Sequence, residues 1–158
     1  MSSITNGKAR AVADTAQGHL LVSAELAAPP ERVFRALASK EVTGWWVRAG
    51  VFDTRDWAGD LCVGGRWRAS GVARGQPYAI EGEFLEIDPP RKLVHTWRLA
   101  GTPNAPTTVT YDLEPVDRGT RVTLRHAGFT SVETCTNTAI GWETSFEQLA
   151  VSLERVPT

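Results

Sequence analysis

A chain of 158 residues, 42% hydrophobic and 22% charged, is that of one soluble globular domain, long enough to bury a core without metal or disulfide staples. Its 17 basic and 18 acidic residues leave a net charge of −1 with no basic stripe, which argues against nucleic acid and an acidic membrane surface as partners. No apolar run approaches the ~20 residues of a membrane span. Two isolated cysteines, Cys62 and Cys135, with no CxxC or Cys/His cluster, point to a reduced, cytoplasmic protein.

Residues 1–17 lack the continuous apolar core of a signal peptide and read as a flexible tail, with residues 18–158 as the single domain. From Gly18 the pattern turns regular. Leu20, Val22, Ala24 and Leu26 alternate as the buried face of a strand. Pro29 and Pro30 end it and suit the first turn of a helix, in which Val33, Phe34 and Leu37 follow at helical spacing. Ser39 can cap a second short helix that delivers Trp45 and Trp46. Residues 49–62 are less regular, with room for one more strand around Val51 and Phe52.

A meander of strands follows. GGRWRASG, AIEGEFLEI, KLVHTWRL, TTVTYDLEPV and TRVTLRHAGF are separated by short turn-forming segments, which favours antiparallel neighbours. The period then changes. Cys135, Ala139, Trp142, Phe146, Leu149 and Leu153 form one stripe of an amphipathic helix running from Val132 to Leu153, predicted to lie across the concave side of the sheet.

Several pieces carry a resemblance: PPERVFRAL, the Trp45–Trp46 pair, VGGRWR at 63–68, EGEFLEIDPPRKLVHTW at 81–97, GTRVTLRHAGF at 119–129, and Gly141–Trp142. In their order and spacing the chain, over roughly residues 18–155, resembles the Hsp-90 ATPase activator homologue family of the START-like (SRPBCC) superfamily. The resemblance implies an α+β helix-grip fold: a curved antiparallel sheet wrapped around a long C-terminal helix, with two short helices after the first strand. It also implies a cavity protein of unassigned pathway.

Strand alternation assigns the inner surface. Leu93, His95, Trp97 and Leu99 share one face of their strand, and Ile80, Gly82 and Phe84 share one face of another. Trp67, the set Val109, Tyr111 and Leu113, and the set Val122, Leu124 and His126 point the same way. Trp46, Trp67, Phe84, His95, Trp97, Tyr111, His126, Trp142 and Phe146 are therefore the expected lining of a hydrophobic cavity between sheet and helix. Such aromatics are more often plain core. The histidines argue for open space, because an unpaired buried donor or acceptor costs roughly 1–3 kcal/mol. A dry void of ~300 Å³ would in turn forfeit ~7 kcal/mol, so any such space holds water or ligand. His95 is read as a wetting and orienting group on the wall, His126 as a strand-end residue bonding a loop carbonyl, and His19 as exposed. Glu81 and Glu83 should face outward beside basic neighbours. Gly141, inside a helix, suggests a close approach, with tight packing on the sheet as the first explanation.

Three functions compete. The first is a non-enzymatic binder of a small hydrophobic molecule, aromatic or lipid-like, supported by the absence of any recognisable catalytic or phosphate-binding motif. The second, implied by the resemblance, is a module that binds a chaperone or another protein. The third is a cyclase- or hydratase-type enzyme with His95 or His126 as general acid–base. No cofactor is expected, nor a metal, since two histidines on separate strands fall short of a zinc site.

Overall fold

The structure, a computed structural model, describes residues 9–48, 50–102 and 105–154. Its strands are β1 (Arg10–Asp14), β2 (His19–Leu26), β3 (Val47–Arg48), β4 (Phe52–Gly59), β5 (Arg66–Ala73), β6 (Gln76–Asp88), β7 (Lys92–Leu99), β8 (Thr107–Val116) and β9 (Gly119–Ala127). All pair antiparallel in one sheet, in the order β1-β2-β9-β8-β7-β6-β5-β4-β3. Between β2 and β3 lie helix α1 (Pro30–Leu37) and a 3-10 helix (Lys40–Gly44), and α2 (Val132–Glu154) follows β9.

Local chemistry accounts for the elements. Leu20, Val22, Ala24 and Leu26 are all buried, as the alternation of β2 requires. Pro30 opens α1 where a missing N–H costs nothing. Ser39 ends α1 by donating its hydroxyl to the Arg35 carbonyl at 2.6 Å, then caps the 3-10 helix by accepting the Glu41 N–H at 3.3 Å. The irregular stretch before Cys62 does contain a strand, β4, longer than Val51 and Phe52 alone suggest.

Two expectations need correction. Residues 10–14, read as part of a flexible tail, form β1 beside β2, so two strands precede the short helices. Here Ala11 donates its N–H to the Glu143 carboxylate at 3.1 Å, fastening β1 to α2, a long-range contact no local pattern announces. Residues 1–8 of that tail lie outside the described residues. Leu99, assigned inward, is 49% exposed because β7 runs out beyond the core at that end. In β6 a bulge between Phe84 and Glu86 shifts the alternation by one residue, so that Glu86 is exposed and Ile87 packs against the core.

The apolar stripe of α2 is buried as its period demands. The helix backbone comes nearest to β1 and β2 on one side and to β3 and the 3-10 helix on the other. It therefore spans the opening of the curved sheet, and the central strands meet it mainly through long side chains.

Candidate functional site

Aromatic rings fill most of the space under α2. Trp45 and Trp46 arrive from the 3-10 helix, Trp67 from β5, Trp97 from β7 and Trp142 from α2. Centroids lie 5.1 Å apart for Trp46–Trp97, 5.3 Å for Trp97–Trp142 and 5.6 Å for Trp46–Trp67. Such pairs stabilise by about 0.5–1.5 kcal/mol each beyond simple burial. Gly82 is what lets Trp67 lie across β6: a Cβ there would meet the Trp67 indole nitrogen at 2.5 Å. Trp45 donates its N–H to the Ala36 carbonyl at 2.9 Å.

His126 is the polar hub of this layer. The Trp142 indole N–H donates to its Nδ1 at 3.0 Å, and an indole is a donor only. Nδ1 is thus the acceptor, and Nε2 carries the proton and donates to Thr107 Oγ1 at 2.6 Å. The Thr107 hydroxyl passes its own hydrogen to the Trp97 carbonyl at 3.0 Å. Both ring nitrogens of His126, the Trp142 indole N–H and the Thr107 hydroxyl are thus all bonded. Burial first, and the neighbouring His95 second, lower the His126 pKa to about 3. The fully buried ring at the β9 end, bonded to side chains of β8 and α2, corrects the expected loop-carbonyl role.

His95 is as well enclosed. Its Nδ1 donates to the Thr96 carbonyl at 2.9 Å, while Trp67, Phe84 and Tyr111 surround the ring at centroid distances of 4.9, 6.2 and 5.9 Å. Burial lowers its pKa to about 4 against the opposing effect of the Thr96 bond. Tyr111 Oη and Trp67 Nε1 nearby have no hydrogen-bond partner. Burial holds the Tyr111 phenol well above its ordinary range.

The open space lies to one side of this cluster. A pocket of about 380 Å³ is bounded by Trp46, Trp97 and Trp142 as an indole floor, and by Phe52, Thr54, Tyr78 and Ile80 of β4–β6. The first half of α2 completes it with Thr134, Asn137, Thr138, Gly141 and Ser145. Thr54 and Tyr78 are joined by a short hydroxyl–hydroxyl bond, which offsets in part the burial that raises the Tyr78 pKa. Exposed Thr134 and Asn137 mark the mouth. Open at that mouth, the space admits water, for which the Thr54, Tyr78, Thr138 and Ser145 hydroxyls on its walls offer partners.

Of the nine aromatic and imidazole residues expected as lining, Trp46, Trp97 and Trp142 border the pocket. Trp67, Phe84, His95, Tyr111, His126 and Phe146 do not; they are buried in the packed layer beside it. His95 is accordingly no wetting group on this wall, because its ring faces other rings rather than the opening. Gly141 also departs from expectation. The nearest atom to a Cβ built there is Phe52 Cε1 at an ordinary 3.8 Å, so the glycine borders open space and not a tight seam. His19 is half-buried, its carbonyl accepting the Cys135 thiol at 3.5 Å. Glu81 does face outward, bonded to Arg98 at 2.6 Å across the β6–β7 pair.

Sequence reasoning missed Phe52, Thr54, Tyr78 and the small face of α2. That face had a signal: Thr134, Asn137, Thr138, Gly141, Trp142 and Ser145 recur at spacings of three and four. Among the described residues no three His, Cys, Asp or Glu side chains come together as metal ligands, and no helix is long and apolar enough to cross a membrane.

Comparison with known proteins places this architecture. The family model described as Activator of Hsp90 ATPase homolog 1-like protein matches residues 27–154. Protein CV1439 from Chromobacterium violaceum is 27% identical, with 88% of this chain and 99% of that one aligned at a TM-score of 0.80. The AHSA1 protein of Silicibacter pomeroyi is 27% identical over 86% of this chain and 97% of its own, at 0.71. Protein NE0264 from Nitrosomonas europaea is 26% identical over 89% and 96%, at 0.74. No curated protein matches. The curved nine-stranded sheet closed by a long C-terminal helix is the helix-grip fold of these relatives.

Proposed function

The chain belongs to the Activator of Hsp90 ATPase homolog 1-like family, and on that footing we propose that it binds a small hydrophobic molecule, aromatic or lipid-like, in the pocket between β4–β6 and the first half of α2. One observation carries this reading: three indoles form a continuous apolar floor under about 380 Å³ of space, with the Thr54 and Tyr78 hydroxyls at one side. Mostly apolar walls with a few fixed polar atoms are the usual make-up of small-molecule sites. Acid–base catalysis by the histidines has less support. Neither ring borders the pocket, and both ring nitrogens of His126 are already bonded.

Tryptophan fluorescence supplies the test, because three of the indoles line the pocket. Decan-1-ol and naphthalene should each quench or shift the emission saturably. Gly141→Leu, which projects a side chain into the space while improving helix propensity, should abolish the response without lowering stability. A library of such ligands with no saturable binder, or binding indifferent to Gly141→Leu, would overturn the reading.

The family description supports a second reading, contact with a chaperone. Leu61, Val63 and Leu85 are 44%, 68% and 44% exposed, and their segments are joined where Gly64 donates to the Phe84 carbonyl at 2.8 Å. Stimulation of a chaperone ATPase that is lost in Leu61→Ser/Val63→Ser would favour this surface over the pocket.

A further inference from the structure

A second recess, of about 400 Å³, adjoins the pocket and has Phe52 as a wall in common with it. Its chemistry is different. Arg48, Arg55 and Arg74 border it with one acid, Asp53, a local excess of two positive charges in a chain whose net charge is −1. Asp53 is engaged by Arg55 at 3.0 Å. Among the described residues, no carboxylate lies within 4.0 Å of Arg48 or Arg74.

The strand register sets these cations beside the shared wall. Arg48 of β3 is the cross-strand partner of Phe52 in β4, and Phe52 pairs in turn with Ala73 of β5, the residue before Arg74. Arg74 and Gly75 form the two-residue turn between β5 and β6 with φ of 51° and 81°. Glycine, asparagine or aspartate would adopt the first of these angles at less cost than arginine. The Arg74 N–H donates to the Val51 carbonyl at 2.9 Å, holding the turn against the start of β4.

We propose that the ligand is an amphiphile, its apolar body in the indole pocket and a single anionic group, carboxylate-like, held outside Phe52 by Arg48 and Arg74. This rests on the pocket reading above and adds the chemical class of the ligand. A guanidinium pair open to solvent, Arg48 half-buried and Arg74 exposed, binds a lone anion weakly, so the apolar body supplies most of the affinity and the arginines supply the preference. Phe52, the residue common to both linings, stands between the two compartments.

Decanoate and decan-1-ol share a chain and differ in charge at about pH 7.5, where a carboxylate is ionised. Titrated against the intact protein at low ionic strength, decanoate should bind about tenfold more tightly than decan-1-ol. Arg48→Ala/Arg74→Ala should bring the two affinities together, as should about 0.5 M salt. Arg118→Ala/Arg125→Ala, an equal change in net charge at exposed positions elsewhere, should leave the preference intact. Equal affinities in the native protein, or a preference that survives the Arg48/Arg74 replacement, would overturn this inference while leaving the pocket standing. Binding of neither molecule would remove the pocket reading, and this inference with it.

Discussion

The Trp142 indole nitrogen lies 3.0 Å from Nδ1 of His126, and that bond both selects the imidazole tautomer and ties α2 to the middle of the sheet. Trp142→Phe deletes the donor, leaves Nδ1 unpaired and removes indole volume from the packed layer. Urea unfolding should show a loss of about 2–4 kcal/mol. His126→Leu alone should also destabilise. The double variant should lose less than the sum of the two, because no orphaned ring nitrogen remains. Strict additivity would mean the bond contributes nothing.

Acid should destabilise the fold through the two buried histidines. Their folded-state pKa values, about 4 for His95 and about 3 for His126, lie below the ~6.5 of an unfolded chain. Both depressions come first from burial, and both rings are neutral when folded. The stability linked to them is therefore complete above ~pH 6.5. It is lost as the pH falls from there toward 4 and 3, by up to about 1.4 kcal/mol per pH unit for each ring. Calorimetry from about pH 7.5 to 4.5 should show a falling Tm, and His126→Gln should flatten that fall even if its Tm at neutral pH is lower. A Tm that rises on acidification in the native protein would contradict this account.

Gly141→Ala should stabilise. A helix-interior glycine costs about 0.8–1.0 kcal/mol relative to alanine. The added methyl would meet only Phe52, at 3.8 Å. Unfolding free energy should rise by about 0.5–1 kcal/mol. A loss of that size instead would show that the helix is pressed against something at this point.

Tyr111→Phe should be neutral or stabilising by about 1 kcal/mol, although Tyr111 is fully buried. Its hydroxyl has no partner, so its removal leaves nothing unsatisfied while the ring contacts with His95 and Trp142 persist. Chemical denaturation of the two proteins decides the matter, and a loss above about 1 kcal/mol would mean the hydroxyl is bonded in solution.

What local sequence determined was periodicity, which placed most of the elements, while the helix-grip arrangement was what the family resemblance implied. The β2 alternation, the meander turns, the Ser39 cap and the α2 stripe each arise from neighbours in the chain, and each is present. The inner faces of β8 and β9 followed from the same rule, down to Tyr111 and His126. Strand β1 escaped although its ladder with β2 is local, because its five residues turn only Ala11 and Ala13 toward the core, an alternation too short and too weakly apolar to stand out.

The site was decided by tertiary structure. Alternation told which side of a strand His95 and Trp67 occupy, but not whether the space there is filled. Four further aromatic side chains delivered by the 3-10 helix, β7 and α2 fill it, and the opening moves aside to Phe52, Thr54 and Tyr78. Packing density depends on how separate elements meet in three dimensions, whereas facing direction depends only on backbone geometry. For that reason the inward-facing residues of most strands could be read from sequence alone and the pocket could not.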